Sequence, residues 1–289
     1  MTFRVNADTQ AKNAIEKIKN DHILAQSTLN QYGQKLKLTA KWLDDNKLGN
    51  LGNITQEYAL CYLKYRSESV SQKILNLDRN ALQLLINRDL DIIKSEKTKV
   101  KAKRICAYTP VQLNMIMAHQ NEKNALSTLI ASETGLKAHE LFTIQIAGQR
   151  PKSDKLWRDD LFTGMDGVIY TVVSGSGDKN LIREVILSHT TAYKLESTKL
   201  ENPMYILDRG IKYTSFYNIS GGNRWSSSFS RSSNDQLFWS SGTIALRYGY
   251  AQKRMNILPQ HGYSFENCKE IVAQELGAFK TKMVETFLK

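Results

Sequence analysis

The sequence predicts a mainly helical chain of two domains, the second carrying a small antiparallel β-sheet. Three observations point there. From Ala11 to Leu85, apolar residues recur at three- and four-residue spacing, the period of helices packed along one face. A run of six basic residues against one acidic, Lys94 to Arg104, then interrupts that pattern. Beyond it, helical patterns enclose alternating stretches on either side of a glycine-containing turn, as in a hairpin.

Residues 1–92 read as an N-terminal helical domain. A first amphipathic helix through Ala11, Ala14, Ile15 and Ile18 follows Asp8, its expected N-cap. Leu29, Tyr32, Leu36 and Trp42 mark a second helix, broken by Asp44-Asp45-Asn46 and by Gly49 and Gly52. Tyr58, Ala59, Tyr62 and Leu63 form a third stripe after Thr55, and Ile74, Leu77, Leu82 and Leu85 a fourth. Helices this short and this close together make a bundle.

Residues 93–108 read as a basic interdomain linker. Lys94, Lys97, Lys99, Lys101, Lys103 and Arg104 leave no apolar face, so the segment is either a solvated connector or one that crosses a phosphate backbone.

Residues 109–289 form the second domain. Thr109-Pro110 announces a helix, since proline suits the first helical position. Leu113, Ile116 and Met117 continue it, and Leu126, Leu129 and Ile130 mark the next. Phe142–Ile146, Val168–Val173 and Ile182–Leu187 alternate as strands do, the last two joined by the turn Ser174 to Asn180. Helical patterns return after Leu187, broken by Asn202-Pro203. The serine-rich stretch Ser220–Asn234, with Trp225, Phe229, Arg224 and Arg231, reads as a loop or irregular helix at a surface. Phe265–Phe279 and Thr281–Lys289 close the chain as helices.

Forty Lys and Arg against 28 Asp and Glu give a net charge of +12 over 289 residues. Such an excess favours a polyanionic partner, double-stranded DNA first, because neutralised phosphates release condensed counterions. A membrane partner is not expected: no apolar run approaches the span of a bilayer, and no basic amphipathic helix carries aromatic anchors. Cys61, Cys106 and Cys268 are odd in number and far apart, which points to reduced thiols in the cytoplasm. No metal and no cofactor are expected, since P-loop, HExxH and CxxC motifs are missing. His22, His119, His139, His189 and His261 have no metal-ligand spacing and read as structural or surface groups.

The stretch Ile244 to Gln252 reads as the start of a helix with one arginine among apolar and aromatic residues. The fork of donors on Arg247 suits a carboxylate or a phosphate in a partly buried site, and a core arginine paired with an acid is the plainer alternative.

Taken with Thr134-Gly135-Leu136-Lys137-Ala138-His139-Glu140-Leu141, the hairpin and Glu275-Leu276-Gly277-Ala278, this stretch resembles the tyrosine recombinases, the phage integrase superfamily. The resemblance covers the whole chain in order and is nearest to proteobacterial prophage-type integrases, whose arginine box HGLRHAYAQ corresponds to Ile244–Gln252. It implies a SAM-like core-binding N-terminal domain that clamps DNA, a linker, and a catalytic-type domain. In that family a tyrosine attacks the scissile phosphate, while arginines, a hairpin lysine and histidine-type residues manage charge and protons.

Carried across, the resemblance implies a degenerate site. Lys137 stands at the first arginine position and keeps the charge without the bidentate fork. Glu140, its acidic companion, is present, and Arg247 is the second arginine. Ser176, between Gly175 and Gly177, stands at the position of the hairpin lysine, with Lys179 three residues on as the nearest substitute. Ile244 and Ala278 occupy histidine-type positions, and Phe287 the nucleophile position. Phenylalanine has no hydroxyl to form a phosphotyrosine. Because the changes touch separate parts of the machinery, they fit loss or repurposing of the site better than a single inactivating substitution. The expected function is therefore that of a DNA-binding recombinase-family protein of a mobile element. It would act with active recombinase subunits or with its own copies, its own strand cleavage lost. The alternatives are an active integrase using another tyrosine (Tyr263 before Tyr248 or Tyr250) or carrying an inactivating Tyr-to-Phe change, and a structural or regulatory DNA-binding protein. Lys94, Lys97, Lys99, Lys101, Lys103, Arg104, Arg224 and Arg231 are the expected DNA contacts.

Overall fold

A computed structural model describes residues 6–97, 105–174 and 181–288. The chain divides into two units, Met1–Lys103 and Arg104–Lys289.

In the first unit, α1 (Ala7–Asp21), α2 (Gln26–Asp45), α3 (Gln56–Ser67) and α4 (Gln72–Ile86) follow the apolar stripes of the sequence. The cap of α1 differs from expectation. The side chain of Asn6 accepts from Thr9 N–H at 2.8 Å, and Asp8 lies in the first turn, where its charge suits the helix dipole. Ile18, Leu36, Leu43, Leu51, Leu63 and Leu82 fill the core, each such side chain contributing roughly 1.5–3 kcal/mol on burial. The beginning of the basic segment lies on this unit: Ser95 N–H donates to Gln72 Oε1 at 2.8 Å, and Glu96 N–H to Ser67 O at 3.0 Å.

The second unit opens with Tyr108, which is buried against Phe229 and stacks on Trp239 at 4.9 Å. A capping box between Thr109 and Gln112 starts α5 (Pro110–Ala118), and Asn121 caps α6 (Glu122–Thr134). A 3-10 turn, Glu140–Thr143, leads into a sheet of order β1-β2-β3: β1 (Gln145–Ile146), β2 (Val168–Ser174) and β3 (Leu181–Leu187), all antiparallel. The strand expected from Phe142 thus shrinks to two residues. Residues 140–144 are all buried, so they have no exposed face to alternate with.

After α7 (His189–Glu196) comes a second hairpin, β4 (Lys199–Asp208) and β5 (Ile211–Tyr217), where helix was expected. Most of β4 is exposed and a register shift falls between Lys199 and Met204, around Pro203. A strand without a buried face leaves no alternation to read. The serine-rich stretch corrects differently, forming a regular helix, α8 (Gly222–Leu237), that buries Trp225, Phe229, Ser232 and Ser233. Its serines do not loosen it: Ser233 Oγ donates to Trp239 O at 2.8 Å. Then follow α9 (Ile244–Ile257), α10 (Phe265–Glu275) and α11 (Lys282–Phe287). No described helix is long and apolar enough to cross a membrane.

Candidate functional site

Glu140 is the centre of a buried charge cluster. Its Oε2 accepts from Lys137 N–H at 2.7 Å and from Arg183 Nη2 at 2.9 Å. Its Oε1 accepts from the Ser174 hydroxyl and lies 3.7 Å from Lys137 Nζ. Burial pushes this carboxyl up, but Arg183, Lys137 and Arg247 outweigh burial and hold its pKa at about 2. Lys137 is shifted down, by burial first, with Glu140 opposing.

Arg247 and Arg183 hold two successive carbonyls at the end of α10. Arg183 Nη1 donates to Glu275 O at 2.6 Å, and Arg247 Nη2 to Leu276 O at 2.9 Å. Arg247 Nη1 donates to Gly135 O, the residue that ends α6 in the left-handed region. Burial brings the Arg247 guanidinium down to about 10, against the pull of Glu140, so it stays charged at neutral pH. Its direct partners are those two carbonyls and the Met283 sulfur, 3.9 Å from Nη2, and Glu140 acts on it through space. Gly277 permits this approach: at φ +74 a Cβ there would lie 2.8 Å from Arg183 Cδ.

Phe287 closes the cluster. Its ring centroid lies 5.9 Å from the Arg247 guanidinium carbon and 4.5 Å from the ring of Tyr248. The Phe287 carbonyl accepts from Gln252 Nε2 at 3.0 Å, fixing the end of α11 against α9. The structure thus brings Lys137, Glu140, Arg247 and Phe287 together. Ala278 lies in the turn after α10, its N–H donating to Ala273 O at 2.8 Å. Ile244 is exposed at the start of α9, three residues before Arg247. Lys179 lies outside the described residues.

The other tyrosines named from the sequence have partners of their own. Tyr250 is buried and donates to Glu275 Oε2 at 2.9 Å. The Tyr263 hydroxyl lies 3.3 Å from Thr163 Oγ1. His139 is partly buried, and its Nε2 has no hydrogen-bond partner among the described residues; burial shifts its pKa down. Lys94, Lys97, Arg224 and Arg231 are exposed, and Lys99, Lys101, Lys103 and Arg104 lie outside the described residues.

No family model matches the chain, and no curated protein matches it. Among solved structures it is similar to a lambda integrase tetramer bound to a Holliday junction, with a TM-score of 0.60 and 15% identity over 99% of this chain and 78% of that one. It is also similar to a lambda integrase dimer bound to a COC' core site (TM-score 0.58, 16% identity, 99% and 77% covered). A third is the XerH site-specific recombinase in a pre-cleavage complex with difH substrate (TM-score 0.52, 18% identity, 90% and 76% covered). The chain has the tyrosine recombinase fold. Within that fold the cluster draws on the end of α6, the turn after it, β3, α9 and α11.

Two members were not singled out from the sequence. Arg183 is fully buried on β3, and a signal for it existed: it shares the phase of Val185 and Leu187, both core positions. Glu275 is the second. It takes Arg254 by two bonds, Nε at 2.9 Å and Nη2 at 2.8 Å, and also Phe162 N–H at 2.8 Å, so it ties α9 and the 160s loop to α10. It stands in the closing stretch Glu275–Ala278 of the resemblance, but nothing local in the sequence marks its role.

Proposed function

We propose that this chain is a DNA-binding protein of the tyrosine recombinase family, encoded by a mobile element of prophage type, that no longer cleaves DNA strands at its own site. The observation that carries the reading is the Phe287 ring facing the Arg247 guanidinium at 5.9 Å. A nucleophile belongs beside the cations that hold the reacting phosphate, and the side chain at that place has no oxygen with which to form a phosphodiester. The cations are also engaged elsewhere. Arg247 gives its donors to two carbonyls, and Lys137, a point charge where a fork is expected, faces Glu140.

Retained DNA binding is supported by the net charge of +12. It is also supported by the exposed Lys94, Lys97, Arg224 and Arg231. Lys99, Lys101, Lys103 and Arg104 extend the basic run in sequence. The lambda integrase and XerH structures hold DNA, and by that likeness the present chain would assemble on duplex DNA with active recombinase subunits or with its own copies. A gel-shift titration across salt concentrations tests the binding half: affinity falls linearly in logarithmic terms, with a slope set by the phosphates neutralised. Failure to bind duplex DNA at low salt overturns the reading.

A further inference from the structure

Lys137 is fixed at its base and loose at its head. Its N–H donates to Glu140 Oε2 at 2.7 Å, and its carbonyl accepts from Glu140 N–H at 3.0 Å. Two residues earlier Gly135 O accepts from Arg247 Nη1, and Leu136 between them is buried. The ammonium end has no comparable hold. Nζ lies 3.7 Å from Glu140 Oε1, too far for a hydrogen bond, and the side chain keeps 42% of its surface in solvent. A rigid backbone thus carries a reachable amine out of a buried charge cluster.

The surroundings favour the chemistry of an amine over that of a phosphate anchor. The Glu140 carboxylate is already taken by Arg183 and by the Ser174 hydroxyl, so little of it is left to hold Lys137. Burial of the Lys137 head lowers its pKa, Glu140 opposes, and the charges of Arg247 and Arg183 add to the lowering. An ammonium that is partly desolvated and crowded by other cations gives up its proton more readily. An arginine in this place would stay charged and grip oxyanions with its fork. Lysine grips them less well and, once neutral, adds to a carbonyl carbon.

The carbonyl that DNA itself can bring to such a place is the aldehyde of an abasic deoxyribose. Loss of a base leaves C1′ as a hemiacetal that opens to an aldehyde, with a phosphate on either side. Arg183 and Arg247 supply positive charge beside the amine, which draws that pair of phosphates toward it.

We infer that Lys137 captures abasic sites in duplex DNA as an imine, its Nζ adding to C1′ of the open deoxyribose. The nitrogen lone pair forms the N–C1′ bond while the carbonyl pair moves to oxygen. The two amine hydrogens then leave with that oxygen as water, and a C=N bond remains, with no oxidant or other co-reactant consumed. The inference rests on the DNA-binding reading above. It adds a reaction at carbon, so the loss of chemistry at the phosphate is untouched.

The test uses the full chain and a fluorescent duplex with one abasic site, made by excising a uracil, with cyanoborohydride present to reduce the imine to a stable amine. The parent should give an adduct that survives a denaturing gel, and digestion with mass mapping should place it on Lys137. The same duplex with its base intact should give none. Lys137→Arg keeps the charge but stays protonated, and it should lose the adduct; Lys137→Met is the second variant and should lose it too. Where a variant fails to fold, the mapped position on the parent decides. An adduct spread over Lys94, Lys97 and other exposed lysines, or undiminished in Lys137→Arg, overturns the inference and leaves DNA binding standing. So does a parent chain that binds the abasic duplex in a gel shift and forms no adduct with it. A parent that binds no duplex at low salt overturns the DNA-binding reading and this inference with it.

Discussion

The Arg183 guanidinium holds the Glu140 carboxylate at 2.9 Å with both side chains fully buried. Truncating one partner leaves an uncompensated charge, which costs about 3–5 kcal/mol in such settings. Arg183→Met should therefore lower the midpoint of urea unfolding of the second unit markedly. Pairing it with Glu140→Gln should recover part of the loss, because the orphaned charge is gone. A full, additive loss in the double variant would show that the two residues act independently.

The same pair sets a pH dependence. The folded pKa of Glu140, about 2, lies below its ordinary value of 4.5. Its contribution is thus present above pH 4.5 and lost as the pH falls toward 2, and it amounts to something on the order of 3 kcal/mol. Acid unfolding followed by circular dichroism should show a steep loss in that window, flattened in Glu140→Gln. An unchanged acid limb in Glu140→Gln would contradict the assignment.

Gly277 offers a test of how closely the cluster is packed. A Cβ there would lie 2.8 Å from Arg183 Cδ and 3.3 Å from Ser174 Oγ, on a backbone at φ +74. Gly277→Ala should destabilise the protein by roughly 1–3 kcal/mol, read as a lower melting temperature. A neutral effect would mean that the turn relaxes freely around Arg183.

Arg247→Ala should cost stability before it costs DNA binding. The variant strips the Gly135 and Leu276 carbonyls of their donor in a buried place, about 1–3 kcal/mol for each unsatisfied group. The comparison is melting temperature against duplex affinity. Unchanged stability with weakened binding would return Arg247 to the phosphate-contact role that its sequence setting also allowed.

Much of this was legible in the sequence, for reasons that differ by residue. Helix faces such as Leu29, Tyr32 and Leu36 were readable because burial on one side imposes the helical period. Thr109-Pro110 marked a helix start through the chemistry of one cap. β4 was not readable, since an exposed strand lacks the alternation that reveals one, and β5 buries alternate positions but fills one of them with a serine, Ser215, beside Tyr217. Among the site residues, Lys137, Glu140, Arg247 and Phe287 were named by resemblance, which carries order along the chain but not partners. The roles of Arg183 and Glu275 went unread because their meaning is tertiary: Arg183 is defined by a carbonyl 92 positions away and Glu275 by an arginine on another helix. Whether Arg247 pairs with acid, phosphate or backbone was likewise invisible until Gly135 and Leu276 were placed beside it.

The central claim is that the site beside Arg247 cannot form a covalent bond to a DNA phosphate, and a nicked suicide duplex tests it most directly. Such a substrate traps the phosphotyrosine of an active recombinase as an adduct that survives a denaturing gel. The parent chain should give no adduct. Phe287→Tyr alone should also give none, because Lys137, Ile244 and Ala278 leave the phosphate short of a fork and of two polar partners. Adding Lys137→Arg, Ile244→His and Ala278→His to Phe287→Tyr is the arm in which an adduct is expected. An adduct formed by the parent would make another tyrosine the nucleophile, Tyr263 first. Robust adduct formation by Phe287→Tyr alone would show an intact integrase carrying one inactivating residue, and would contradict the account of a site that has lost its chemistry.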